Sequence, residues 1–263
     1  MFTFGSIITA LIGSFTNTSN GSFSLYDHLR SKRDNVAAYS ETITEQIAKE
    51  ALPQSIKNSL EDPRFNGYGA YIVANNTTDL DVSFNATPYV ENSLDSKRRP
   101  SVANAVVNQA IREYNPRNDY KDNKVTLMPL GYHQRTSLKG KYTLAYNRGH
   151  LIGYAIAGKL SNFDASENNK QNIITQTSWA NQASESSNTG QNYYEGLIRQ
   201  AQDQGRTIRY RATPMYVDNE LVPRGVHLEA KSSDGALQFN VYVPNVQGNI
   251  IINYKTGYTV IRK

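Results

Sequence analysis

From Arg206 to Val217 the chain alternates with a period of two. Ile208, Tyr210 and Ala212 fall on one side, and Arg209, Arg211 and Thr213 on the other. Successive side chains of a strand point to opposite faces, so the pattern specifies a strand half in a core and half in water. Leu237–Val243 (LQFNVYV) alternates again, and Asn249–Tyr254 (NIIINY) reads as a further strand. Just before the first of these, Tyr193–Gln204 has helical character and Gly205 ends it. Strands and helices are thus mixed, with no regular βαβ alternation. The expected class is α+β: a central, mostly antiparallel sheet flanked by helices.

Earlier in the chain, Ile43, Ile47, Ala48, Ala51 and Leu52 recur at helical spacing within Ser40–Leu52, and Pro53 stops the run. Pro100 and Ser101 open a second expected helix, Val102–Tyr114, with Val102, Val106 and Ala110 on one stripe. Strands are expected at Ala70–Ala74, near Val82–Phe84, at Lys124–Met128 and at Tyr142–Tyr146. Ser161–Asn172 reads as a loop-rich stretch leading into Ile173 and Ile174.

The start of the chain stands apart. Phe2–Phe15 is apolar and uncharged, yet shorter than the ~20 residues of a membrane-spanning helix, and no Lys or Arg precedes it. Thr16–Ser24 reads as a polar linker. We therefore expect residues 1–25 to be a signal-like or flexible segment, residues 26–263 to form a single domain, and no stable membrane span. A truncated start, a mature N-terminus and a weak export signal all remain compatible with these residues.

Composition narrows the chemistry. The 263 residues contain no Cys, which excludes disulfide scaffolds, thiolate zinc sites, iron–sulfur clusters and a Cys nucleophile. Charged residues are 19% and aromatics 10%, too aromatic and too lightly charged for a disordered chain. The net charge of +5 points toward an anionic partner, or simply to a basic solvated surface. There is no Walker A loop, no dinucleotide glycine fingerprint, no GxSxG and no HExxH.

Two segments remain. In Ala145–Gly153 (AYNRGHLIG), His150 follows Arg148 and Gly149 at the exit of an expected strand. Gly149 would let the backbone turn so that His150 faces a cleft, with Arg148 suited to a phosphate; the alternative is a plain surface turn. Asn172–Arg199 holds Asn172, Gln176, Asn181, Gln182, Asn188, Asn192, Glu195 and Arg199. Amide oxygens are hard ligands compatible with Mg²⁺, although most Asn residues serve loops and caps. Glu195 and Arg199 share a helix face, as site residues or as an ordinary i, i+4 ion pair.

Asn147-Arg148-Gly149-His150 resembles the Asp-Arg-Gly-His signature of the DNA/RNA non-specific endonucleases, whose site is a ββα-metal finger. AYNRGHLIGYAIAG, QNIITQTSWANQA and QNYYEGLIRQA are similar to the streptococcal branch of that family, which includes streptodornases and DNA-entry nucleases. The likeness runs from about residue 65 to 260 and continues through GYHQ (Gly131–Gln134) and EAKSSDG (Glu229–Gly235). It implies a secreted enzyme that hydrolyses DNA phosphodiesters to 5′-phosphate ends, with RNA also within the family's range and Mg²⁺, or Mn²⁺ in its place, as cofactor. On this resemblance His150 is the general base and Asn181 the direct metal ligand. Asn172 and Glu195 hold metal-bound waters, and Arg148 and Arg199 bind phosphate and stabilise the transition state. Arg117 and Lys121 form a substrate-gripping finger. The departure is Asn147, where the signature has Asp: Asn keeps an acceptor oxygen but loses the charge. An Asp that only fixed the turn would be replaceable; one that tuned His150 or Arg148 would not. The rival readings are a catalytically impaired DNA-binding or uptake protein, and an extracellular host-interaction (mitogenic) factor on a nuclease scaffold.

Overall fold

The computed structural model describes residues 42–83, 87–117 and 125–263, and among these Thr44 opens the first helix. Its hydroxyl accepts from the Ile47 N–H, satisfying one of the free donors of a helix start. That helix, α1 (Glu45–Lys49), is shorter than the expected Ser40–Leu52, and the part up to residue 41 lies outside the described residues. Pro53 does bar its continuation, and α2 (Gln54–Ser59) starts immediately after. Two short strands follow, β1 (Arg64–Phe65) and β2 (Tyr71–Ile72), the latter inside the expected Ala70–Ala74. Val82 and Ser83 are not in a strand, and Phe84 lies outside the described residues.

Next come β3 (Tyr89–Leu94) and β4 (Pro100–Val107), and here the expected helix over 102–114 is overturned. Ala103, Ala105 and Val107 are fully buried at a spacing of two, and β4 pairs with strands on both sides, which a helix could not do. Pro100 takes the first strand position, where its missing N–H is tolerated. The described part of the expected 124–128 strand has no regular structure, and the expected 142–146 strand is displaced toward the C-terminus. It becomes β5 (Tyr146–His150), followed by α3 (Tyr154–Ala157) and β6 (Ile173–Thr177).

The second half follows expectation more closely. After α4 (Ser178–Gln182) and α5 (Gln191–Asp203) come β7 (Ile208–Met215), β8 (Gly225–Ser232) and β9 (Gln238–Pro244). The chain closes with the hairpin β10 (Ile250–Ile252) and β11 (Thr259–Ile261). Along β7, burial alternates at every residue, as its period of two requires.

Seven strands form one sheet in the order β1-β2-β9-β8-β7-β4-β3, and every pair is antiparallel. The helix α5 lies against β7 and β8, burying Tyr194, Ile198 and Ala201. Trp179 on α4 is fully buried in the same core, and its indole N–H donates to Asn188 Oδ1 at 2.6 Å. Separate from the sheet, β5 and β6 pair antiparallel, with Asn147 opposite Gln176 and His150 opposite Ile173, and α4 follows β6 directly. These three elements make a ββα unit on the edge of the core. The described residues belong to one compact unit, and the segment 1–25 lies outside them. Among the described residues no helix is long and apolar enough to cross a membrane.

Candidate active site

The ββα unit is locked before it presents any functional group. At the start of β5, the Gln134 side chain acts as a surrogate strand: its Oε1 accepts from Tyr146 N at 3.0 Å and its Nε2 donates to Tyr146 O at 2.7 Å. At the junction of β6 and α4, the Thr177 hydroxyl accepts from Ala180 N at 3.1 Å, capping the helix that carries Asn181. Ser178 Oγ donates to Asn147 Oδ1 at 3.0 Å, tying β5 to α4. Asn147 thus uses the acceptor oxygen that it shares with Asp.

An open cleft of about 510 Å³ lies over this unit, with Arg148, His150, Asn181, Glu195 and Arg199 all on its walls. Arg148 and His150 are two apart on β5 and so face the same side. His150 Nε2 is 3.0 Å from Glu195 Oε2. Arg199, one turn further along α5, reaches the same oxygen at 3.8 Å and donates to Asn192 Oδ1 at 2.9 Å. Glu195 is buried, with 2% of its surface exposed. Burial alone would raise its pKa; the His150 charge, hydrogen bonds from His150 and Gln191, and Arg199 outweigh it, so the net direction is down. Glu195 is therefore a carboxylate, which can only accept. The proton between the pair belongs to His150 Nε2, and the lone pair of the neutral ring to Nδ1.

The two glycines of the motif act by absence. Gly149 has no left-handed backbone, contrary to the tight turn expected of it. It lies within β5, where a Cβ would collide with the Gln176 side chain, so its function is close approach. A Cβ on Gly153 would sit 2.9 Å from Glu195 Oε2 and 3.1 Å from His150 Nε2.

Arg148 donates to Leu127 O at 2.7 Å and lies over the Tyr132 ring at 5.2 Å. Among the described residues no carboxylate pairs with it. Arg117 is also on the cleft wall, 5.0 Å over the Tyr154 ring and 3.6 Å from Glu167 Oε1. Lys121, its expected partner in the finger, lies outside the described residues. The cleft thus sets three arginines against two carboxylates, all but one of the cations already in contact with an acid.

One expected residue falls elsewhere. Asn172 is fully buried and does not line the cleft. Its Oδ1 accepts from Ile152 N (3.0 Å) and Asn92 Nδ2 (2.8 Å), and its Nδ2 donates to Ile152 O (3.0 Å). With both bonds of its Oδ1 and one of its two N–H donors so engaged, it splints the segment after His150 from inside the core. Gln191, Glu167, Tyr132 and Tyr154, which no motif singles out, also contact the site residues. For Gln191 a signal existed, since it precedes Glu195 by one helical turn.

Asn181 provides the test of whether a divalent cation fits. Its Oδ1 is buried without a hydrogen-bond partner among the described residues. A buried oxygen that has lost water and gained no donor costs about 1–3 kcal/mol. A hard cation would satisfy it, because amide oxygen is a suitable ligand for such ions. Among the described residues no group of three or more His, Asp and Glu is arranged around a metal, so an ion here would rest on one amide and on water. Mg²⁺ tolerates such a sparse protein shell.

Comparison with known proteins gives the family and the fold. The family model for DNA/RNA non-specific endonucleases matches residues 66–258. The chain is similar to NucA from Streptococcus agalactiae in crystal structures with magnesium bound and with no metal bound. Identity is 41% in both, over 86% and 85% of this chain and 100% of NucA, with TM-scores of 0.76 and 0.75. The fold also resembles that of Sda1 nuclease with bound zinc, at 18% identity over 75% of this chain and 98% of that one, with a TM-score of 0.54. The chain belongs to the DNA/RNA non-specific endonuclease family.

Proposed function

We propose that the chain is a secreted, Mg²⁺-dependent endonuclease that hydrolyses DNA phosphodiesters with little sequence preference. The observation that carries this reading is the buried, unpartnered Oδ1 of Asn181 on the wall that also holds the His150–Glu195 pair. Support for the ion comes from NucA, whose structure was solved with magnesium. Support for export is the apolar N-terminal run together with the streptococcal resemblance.

In this mechanism His150 accepts a proton at Nδ1 from a water, which attacks phosphorus while the bond to the 3′ oxygen breaks. The products are a 5′-phosphate and a 3′-hydroxyl, the latter taking its proton from solvent. Glu195 keeps the Nε2 proton in place and stabilises the imidazolium that forms, as the buried carboxylate of a hydrolase triad does. Arg148 and Arg199 bind the phosphate and offset the charge that builds on it; Arg117 grips a neighbouring phosphate. Asn181 would hold the cation directly and Glu195 one of its waters; the ion would supply a Lewis acid at the phosphate oxygen. Phosphate contacts read no bases, which accounts for low sequence preference. Incubating plasmid DNA with the protein, in Mg²⁺ and in chelator, tests the reading. Cleavage in Mg²⁺ alone supports it, and binding without cleavage would favour the inactive DNA-binding rival.

A further inference from the structure

Gln191, the first residue of α5, is fully buried and uses every polar atom of its amide. Its Nε2 donates to Glu195 Oε1 at 3.0 Å and to the backbone oxygen of His150 at 2.6 Å. Its Oε1 accepts from Gln176 Nε2 at 3.0 Å. The orientation is therefore forced. Turned over, the amide would set its oxygen against two acceptors and its NH₂ against the NH₂ of Gln176. Gln176 is itself fixed, because it packs into the space that Gly149 leaves open on the neighbouring strand. A chain of contacts thus runs from the β5 backbone through Gln176 and Gln191 back to both members of the His150–Glu195 pair.

We infer that Gln191 is a positioning residue. It holds Glu195 as an oriented acceptor and the His150 main chain at a fixed distance from it, so that the imidazole keeps its proton on Nε2 and its lone pair on Nδ1. The inference rests on the proposed hydrolytic role of His150, but its structural half concerns the tautomer alone. A residue that only filled space would contribute packing; Gln191 contributes two donors aimed at the two groups that must not move relative to each other.

The test pairs Gln191→Met with Gln202→Met. Met matches Gln in length and lacks the amide. Gln202 is an equally buried glutamine on the same helix, and its Nε2 donates to Asn108 O and Ile156 O, away from the cleft. Steady-state cleavage of a duplex oligonucleotide should show kcat reduced about 10–100-fold in Gln191→Met. KM should stay within about twofold, while Gln202→Met loses thermal stability without that fall in kcat. Long-range ¹H–¹⁵N correlation at alkaline pH reads the tautomers directly, and His150→Ala assigns the signals of one ring among the four histidines. Wild type should show the Nε2–H form at His150, and Gln191→Met a mixture. Unchanged kcat in Gln191→Met overturns the inference, and so does an Nδ1–H tautomer in the wild type. Where Gln191→Met does not fold, Gln191→Asn, which keeps the amide but shortens its reach to Glu195 and to the His150 backbone oxygen, is read by the same kcat and tautomer measurements, and a wild-type kcat and tautomer there overturn the inference. The two readings separate: a wild type that fails to cut DNA refutes the proposed function, whereas a His150 tautomer that is the same in wild type and variant refutes only the role of Gln191.

Discussion

The imidazole of His150 and the carboxylate of Glu195 meet at 3.0 Å across the cleft, one from the end of a strand and the other from the second turn of a helix. Glu195→Gln keeps the shape but replaces an obligate acceptor with a group that also donates, so it no longer dictates which ring nitrogen carries the proton. We expect kcat to fall by about 10²-fold or more, with KM little changed, as when a triad carboxylate is made an amide. Steady-state kinetics on plasmid or oligonucleotide substrate measures this, and unchanged kcat would remove Glu195 from the mechanism.

Asn181 contributes a single uncharged ligand atom, so its loss should show in the metal dependence before anything else. For Asn181→Ala the Mg²⁺ concentration giving half-maximal cleavage should rise by at least the ~10–100-fold typical of a lost supporting contact. Titrating Mg²⁺ against cleavage rate provides the comparison. A wild-type titration curve in the variant means that the ligand lies elsewhere.

Glu167 stands where a substrate phosphate would compete with it for Arg117, 3.6 Å away. Removing its charge should strengthen the grip on DNA. With the pair worth up to about 1 kcal/mol, Glu167→Gln should lower KM about 2–5-fold at low salt and leave kcat unchanged. The advantage should shrink as salt rises, because phosphate contacts are screened. A KM that stays the same or rises would show that Arg117 does not hold substrate.

Away from the cleft, Glu229 on β8 accepts from Arg211 Nε at 2.6 Å and from Thr78 Oγ1 at 2.8 Å. Burial would raise its pKa, but the Arg211 hydrogen bond, His227 and Thr78 bring the net direction down. A carboxyl with a depressed folded-state pKa stabilises the fold above its unfolded value, near 4.5, and loses that contribution as pH falls through the folded value. Glu229→Gln should therefore cost about 2 kcal/mol at pH 7, less than a fully buried pair because Arg211 is partly exposed. The gap should narrow below about pH 4.5. Urea unfolding at pH 7 and pH 3.5 would detect this; a gap independent of pH contradicts it.

What the sequence made legible follows from the kind of signal each element carries. The strands β7 and β9 announce themselves by a period of two, and α5 by its helical character and Gly205. In β8, Val226, Leu228 and Ala230 alternate with His227, Glu229 and Lys231, a signal present but overlooked. The strand β4 misleads because alanine favours helices and Val102, Val106 and Ala110 mimic a helical stripe; pairing with β3 and β7 overrides that preference. At the site, the NRGH run and the Glu195–Arg199 spacing point to residues that do share one cleft. The amides are harder to sort. Asn172, Gln176, Asn181, Asn188 and Gln191 look alike in sequence, and burial, partners and place separate them: Asn188 holds the Trp179 indole, Asn172 splints a turn, and of Asn181 and Gln176, each with a buried unpartnered oxygen, Asn181 lies on the cleft wall.

Supercoiled plasmid incubated with wild type and with His150→Ala, each in Mg²⁺ and in chelator, tests the central claim most directly. Wild type should nick and linearise the plasmid in Mg²⁺ and leave it intact in chelator, with 5′-phosphate ends that ligate without prior phosphorylation. His150→Ala in Mg²⁺ should be slower by about 10²–10⁴-fold, the range for a lost general base. Undiminished cleavage by His150→Ala, or cleavage by wild type that survives chelation, would contradict the account.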